Sequence, residues 1–272
     1  MATDESSGGD AGPREGKGRR STSAGAALCG VTDVGRVRDH NEDDFHVSPD
    51  GPLLVVADGL GGHAAGEVAS AMAVAFMAEA LDASRLAAVA GDAGRIEALL
   101  IDAFLELQGR MLAEAGAQPS CWGMGTTLVV ALVDGGDLHV CHVGDSRCYV
   151  RNAGGLQQVT SDHSLVGVLV AAGELTAEEG RVHPRRNQVL QAIGLPTGIN
   201  PEICRAKLAP GDRVLVCSDG LWEELDDEDI CAILDGAGST AERAARLVDD
   251  ANRAGGRDNV TVALYEHGPG RP

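Results

Sequence analysis

The sequence predicts an α+β fold, on two observations. Val-rich segments of strand length follow one another with hairpin-type turns between them, and the long helical patterns are grouped elsewhere rather than alternating with strands. No Gly-, Pro- or Ser-rich linker interrupts the chain from Ala26 to Glu266, so one domain is expected.

Taken in order, Met1 to about Ala24 is rich in Gly, Ser and charge and has no apolar period. It is expected to be a disordered tail, followed by a domain at 25–267 and a short tail at 268–272. Strands are expected at Leu53–Ala57, Thr127–Val133, Leu138–Val143, Arg147–Val150, Val214–Cys217 and Val260–Tyr265. Asp134-Gly135-Gly136 reads as a hairpin turn, and Asn152-Ala153-Gly154-Gly155 marks the next one. Helical spacing runs from Glu67 to Leu81. From Arg95 to Ala115 it places Ile96, Leu99, Leu100, Ala103, Phe104, Leu107 and Met111 on one face. A further helix starts at Ser239, where Ser-Thr-Ala-Glu has the form of a capping box, and ends before Gly255-Gly256.

The composition narrows the function. A formal net charge of −19 disfavours a general binder of nucleic acid or membrane surfaces, because both are anionic. No basic, apolar leader opens the chain, and no run approaches the ~20 apolar residues that span a bilayer. Seven cysteines without a CxxC pair suggest reduced thiols and a cytoplasmic location. With only 3% aromatic residues, the core must be built mostly from Ala, Val and Leu.

Chemistry concentrates where strands end. Asp58 follows Leu-Leu-Val-Val-Ala, Asp219 follows Val-Leu-Val-Cys-Ser, and Asp258 precedes the last strand. Asp145 follows Leu-His-Val-Cys-His-Val-Gly. Any one Asp-Gly pair is most simply a turn. Four acids in matched positions suggest instead that strand ends bring carboxylates together, which then need a divalent counterion. An oxygen-only set points to Mg²⁺ or Mn²⁺ rather than Zn²⁺. The stretch Gly35-Arg-Val-Arg-Asp-His-Asn-Glu-Asp-Asp-Phe45 adds two arginines suited to phosphate beside Glu42, Asp43 and Asp44. By itself that stretch reads more simply as a solvated charged loop. Residues Gly59 to Ala64 also fit the loose dinucleotide pattern GxGxxA, which the non-alternating element order weakens.

In chain order, GRVRDHNEDDF, VVADGLGGHAAGEVAS, GMGTTLVVALV, HVGDSRCYV, QVTSDHSLV, HPRRNQVLQAIG, GDRVLVCSDGLWEELDDEDI and GGRDNVTVALYE resemble a bacterial metal-dependent PP2C-type (PPM) protein serine/threonine phosphatase. The resemblance covers about Cys29 to Glu266. It implies a four-layer α/β/β/α sandwich, two antiparallel β-sheets flanked by helices, with two Mn²⁺ or Mg²⁺ ions at one end and a third held weakly. By this likeness Asp58 bridges the two metals, the Gly59 carbonyl is a ligand, and Asp219 and Asp258 complete the first metal. Glu42 and Asp43 match an acidic pair near the second metal, and Asp145 an acid serving the third. Arg38 matches the arginine that grips substrate phosphate, leaving Arg36 spare. Ser164 to Asn187 matches a mobile flap over the site, with a short helix starting at Thr176.

The implied reaction is hydrolysis of phosphoserine or phosphothreonine in proteins by a water activated between two cations and attacking phosphorus in line. Phosphoproteins are the implied partners, with a Ser/Thr kinase opposed, and a monomer is expected. The proton donor stays open between a metal-bound water and His63, because Leu60 stands where some members carry a histidine. Three competitors remain. Cys141 to Arg147 fits CxxGxxR of cysteine phosphatases, but Asp145 would put a carboxylate in an anion cradle, so Cys141 reads as a strand residue. A metal-free pseudophosphatase conflicts with every metal position being filled. A metal nuclease lacks a basic track.

Overall fold

The computed structural model describes residues 19–22, 28–48, 52–60 and 64–268. The strands, in order, are β1 (Arg19–Thr22), β2 (Leu28–Asp33), β3 (Asp43–Val47), β4 (Leu53–Leu60), β5 (Gly125–Thr126) and β6 (Leu128–Asp134). They continue as β7 (Asp137–Val143), β8 (Arg147–Asn152), β9 (Gly155–Gln158), β10 (Glu202–Lys207), β11 (Arg213–Cys217) and β12 (Val260–Glu266). The helices are α1 (Ala64–Ala80), α2 (Ala83–Val89), α3 (Ala93–Ala117) and α4 (Leu165–Ala171). After them come α5 (Ala177–Arg181), α6 (Asp219–Trp222), α7 (Asp227–Asp235) and α8 (Thr240–Ala254).

Two antiparallel sheets result. One has the order β1-β2-β12-β11-β8-β9, and the other β10-β7-β6-β4-β3 with β5 added to β4. Helices α1 and α3 cover the second sheet, α6, α7 and α8 the first, and the sheets face each other. This is the expected four-layer sandwich.

The apolar runs explain the layering. A strand buried on both faces needs no polar alternation, and its side chains divide between two cores with a period of two. Along β4, Leu53, Val55 and Ala57 enter the core under α1 and α3, while Leu54 and Val56 enter the core between the sheets. Strand β6 divides in the same way, with Leu128, Val130 and Leu132 toward the helices and Val129, Ala131 and Val133 between the sheets. In β11, Leu215 and Cys217 face α6 to α8, while Val214 and Val216 face the other sheet.

The six expected strands are present, most of them a residue or two longer, and Gly135-Gly136 makes the tight β6–β7 turn with Asp134 opposite Asp137. Helix α3 buries Ile96, Leu100, Ala103, Phe104, Leu107 and Met111, with Leu99 at the margin. Ser239 and Thr176 each form both hydrogen bonds of a capping box. One expectation needs correction. Within the tail placed at residues 1–24, Arg19–Thr22 pair with Thr32–Cys29 as an edge strand. Arg-Arg-Ser-Thr carries no apolar period, and the free edge of β2 supplies its backbone partners.

Candidate metal centre

The strand ends and turns that carry Asp43, Asp58, Asp145, Asp219 and Asp258 lie at one end of the sandwich, opposite the β6–β7 turn with its Asp134 and Asp137. Asp43 opens β3 and is in register with Asp58, near the end of β4. Asp219 follows β11 and Asp258 precedes its neighbour β12. Asp145 lies in the turn between β7 and β8, and β8 pairs with β11 at Arg147 and Cys217. Antiparallel order therefore gathers acids as far apart in the chain as Asp43 and Asp258.

The gathering sets their electrostatics. Withdrawal from water pushes the Asp58 carboxyl well above its usual range, and Asp219, Asp43, Asp145 and Asp258 push in the same direction. Asp219 is raised likewise, by burial first and then by Asp145, Asp258, Glu223 and Asp43. Asp43 is pushed up to about 7 by burial, against hydrogen bonds from Ser218 and Thr261. Asp145 also rises to about 7, through burial and then Asp162. Such a set repels itself, and the cation paired within it is Arg38, whose Nη2 donates to Asp258 Oδ2 at 2.6 Å. Oxygen donors crowded this way suit hard divalent cations and lack the nitrogen and sulfur that would favour softer ones.

The two Asp-Gly pairs have a definite steric reason. A Cβ on Gly59 would lie 2.2 Å from the Gly66 carbonyl oxygen and 2.7 Å from that of Glu42. A Cβ on Gly220 would lie 2.0 Å from the Asn259 carbonyl oxygen. Both acids thus stand where backbones pass too closely for any side chain.

Several residues that hold the site carry no sequence signal of their own. Ser218 Oγ donates to Asp43 Oδ2 at 2.7 Å and accepts from the Thr261 amide at 3.0 Å, joining the two sheets. Asn259 Oδ1 accepts from the Glu42 amide at 2.8 Å, and its Nδ2 donates to the carbonyls of Val34 and His40. That side chain therefore fixes the loop of Arg38 and Glu42 against Asp258. The Asp58 carbonyl accepts from Thr126 Oγ1 and the Thr127 amide, both at 2.9 Å. Glu223 lies one turn beyond Asp219, and Arg186 of the flap segment reaches it at 3.5 Å. Its i,i+4 spacing from Asp219 is the one clue the sequence offered.

Placement of the remaining expected residues is mixed. Arg36 is exposed, and its amide donates to the Gly256 carbonyl at 2.7 Å. His63 lies outside the described residues, as do Gly61 and Gly62. Cys141 faces the helix-side core, and burial pushes its thiol far up, which removes the thiolate that a cysteine phosphatase requires. A strand, β8, follows Arg147 where a phosphate-binding loop would need a helix.

Comparison with known proteins agrees with this geometry. A family model described as protein phosphatase 2C matches residues 36–230. The chain is 37% identical over 238 residues to the serine/threonine phosphatase stp of Listeria monocytogenes, covering 86% of this chain and 93% of the relative. The solved structure of the S. agalactiae serine/threonine phosphatase matches with a TM-score of 0.80 at 34% identity, over 88% of this chain and 98% of that one. The catalytic domain of the phosphatase PstP, solved in complex with two manganese ions, matches with a TM-score of 0.74 at 35% identity, over 92% and 97% of the two chains. The chain therefore belongs to the protein phosphatase 2C family of metal-dependent protein serine/threonine phosphatases.

Proposed function

We propose that the protein removes phosphate from phosphoserine and phosphothreonine in other proteins, with two Mn²⁺ or Mg²⁺ ions held at the carboxylate end of the sandwich. The observation that carries this reading is the convergence of Asp43, Asp58, Asp145, Asp219 and Asp258 from both sheets, with four of those carboxyls raised by burial and mutual repulsion. In this reading Asp58, Asp219, Asp258, the Gly59 carbonyl, Glu42 and Asp43 would hold the two ions, with Asp58 central to the set. Asp145 would serve a third, weaker ion. Bound there, the cations supply Lewis acidity and a water acidified toward neutral pH.

The chain's own residues supply the rest. Arg38 is half-exposed, so its guanidinium is free to exchange the Asp258 carboxylate for the oxygens of an incoming phosphate. Ser218 and Asn259 keep the acids and the arginine loop in place, so that little reorganisation accompanies the reaction. The donor of the proton to the leaving alcohol stays open between His63 and a water.

The same proposal takes the enzyme as a cytoplasmic monomer opposing a Ser/Thr kinase, and three features fit a location among reduced proteins rather than on anionic surfaces. All seven cysteines are free thiols. No helix among the described residues is long and apolar enough to cross a membrane. The net charge of −19 keeps other anionic macromolecules away. Hydrolysis of a phosphothreonine peptide tests the reading. Activity should require Mn²⁺ or Mg²⁺, vanish with EDTA and persist after thiol alkylation. Metal-independent turnover would sink it. Phosphoproteins that accumulate in an Asp58→Asn strain would then identify the substrates.

A further inference from the structure

The motif Ser161-Asp-His-Ser-Leu-Val166 is left unexplained by the carboxylate centre, yet it lies directly against the turn that carries Asp145. Two consecutive residues make the join, and the next caps the helix that follows. Asp162 takes Arg147 in a two-oxygen grip, Nε at 2.9 and 3.2 Å and Nη2 at 2.7 Å. His163 bonds Gly144 twice: its amide donates to the Gly144 carbonyl at 2.9 Å, and its Nδ1 accepts from the Gly144 amide at 3.3 Å. Ser164 caps α4, accepting from the Gly167 amide at 3.0 Å.

The flap closes on the same residue. Its first strand-like contact pairs Ser164 with Val189, and the Leu190 amide donates to the His163 carbonyl at 2.8 Å. Both feet of the flap therefore meet at His163. Across the ring, Nε2 donates to Glu202 Oε2 at 3.3 Å, and the Cys204 thiol donates to the other oxygen of that carboxylate. The ring stacks on His142, with centroids 4.5 Å apart. His142 is fully buried, neither ring nitrogen has a hydrogen-bond partner, and burial followed by His163 pushes its pKa down to about 4, so it serves as a neutral, rigid backing.

His142, His163 and Glu202 place one ligand-type atom each within 4.8 Å of one another, which invites a metal reading. The hydrogen bonds oppose it. Because Nδ1 of His163 accepts from Gly144, its proton sits on Nε2, which then has no lone pair to give. The two rings also stack instead of converging on a point.

We propose that His163 is a positioning residue that ties the flap to Asp145, holding the Gly144–Asp145 turn through its two bonds to Gly144 so that flap position and carboxylate position move together. The turn is sensitive to such a hold, since Gly144 has φ +109° and packs against Thr127. The proposal rests on the reading of Asp145 as a metal-facing carboxylate.

Three variants of the full chain separate the bonds. His163→Asn keeps an acceptor for the Gly144 amide and loses the contact to Glu202. His163→Gln keeps a donor for Glu202 and loses the acceptor, and His163→Ala loses both. With Mn²⁺ present, His163→Ala and His163→Gln should lower kcat on a phosphothreonine peptide by about tenfold, the effect of removing a residue that orients a metal-facing group. KM should change little, amide exchange should quicken at Gly144 and across residues 165–189, and Mn²⁺ uptake should weaken. His163→Asn should restore most of each quantity. If His163→Asn is no better than His163→Ala, or if kcat falls only in step with melting temperature, the clamp is refuted. Asp145→Asn measured alongside keeps the two failures apart. Unchanged turnover and Mn²⁺ uptake in that variant would refute the metal-facing reading. A faster Gly144 amide with undiminished turnover in His163→Ala would refute the clamp itself.

Discussion

Asp58-Gly59 and Asp219-Gly220 are the same dipeptide in two different local structures. The first stays extended inside β4, which runs on to Leu60 and pairs with β5. The second turns at once into α6 behind Ser218. Both succeed apolar strands, one in each sheet, and both glycines have a backbone oxygen about where a Cβ would stand. The dipeptide therefore specifies close backbone approach beside a carboxylate, not a turn type. The neighbouring backbone decides the path of the chain beyond it: β5 lies alongside Gly59, whereas the start of β12 crosses Gly220 at Asn259.

The sharpest way to test this pairing is to neutralise each acid. On the proposed reading Asp58 would serve both ions and Asp219 only one, so Asp58→Asn should cost more turnover than Asp219→Asn. Loss of several kcal/mol of metal assistance corresponds to roughly a thousandfold or more in kcat/KM. In metal-free protein both variants should melt higher than wild type, because each carboxyl resists ionising in the fold. Mn²⁺ at a hundred times its dissociation constant should stabilise wild type by about 2.7 kcal/mol and Asp58→Asn by much less. Equal turnover losses in the two variants would remove the distinction between them.

Arg38 sits on the Asp258 side of the site. Arg38→Ala should raise KM for a phosphopeptide by roughly ten- to a hundredfold, the value of a charge-assisted bond of about 1.5–3 kcal/mol. Its half-exposed pair with Asp258 should contribute no more than about 1 kcal/mol to stability. An unchanged KM would remove Arg38 from phosphate recognition. Gly59→Ala and Gly220→Ala should each destabilise by about 1–3 kcal/mol in thermal unfolding, since backbone must shift to admit the methyl group. A wild-type melting temperature for either would show that the close approach is not constraining. The smallest effect is expected from Ser218→Ala, about 1 kcal/mol, measured best as a double-mutant cycle with Asp43→Asn. A coupling energy near zero would detach Ser218 from Asp43.

Legibility in the sequence tracks burial on two faces. Strands β4, β6 and β11 announce themselves by unbroken apolar runs, and β7 by Leu138, Val140, Cys141 and Val143 between its histidines, being covered by helices on one side and the other sheet on the other. Strand β3 was hidden because its Asp-Asp-Phe-His-Val looks like a charged loop, although Asp43, Phe45 and Val47 turn inward. Edge strands β9 and β10 were missed because both are largely polar or exposed. Helix α7 was missed in an acidic run whose inward face is carried by Ile230, Ile233 and Leu234.

By itself the sequence picked out Asp58, Asp145, Asp219 and Asp258, because aspartate at the end of an apolar strand is a local pattern, and the succession of eight motifs marked the family. It determined the capping box at Ser239 for the same reason, since three-residue spacing contains the whole interaction. Only the tertiary structure decided that Ser218 would hold Asp43, that Asn259 would hold the Arg38 loop and that His163 would hold Gly144. The first two contacts join residues far apart in the chain, and all three depend on which backbones the sandwich brings side by side. No local pattern encodes that.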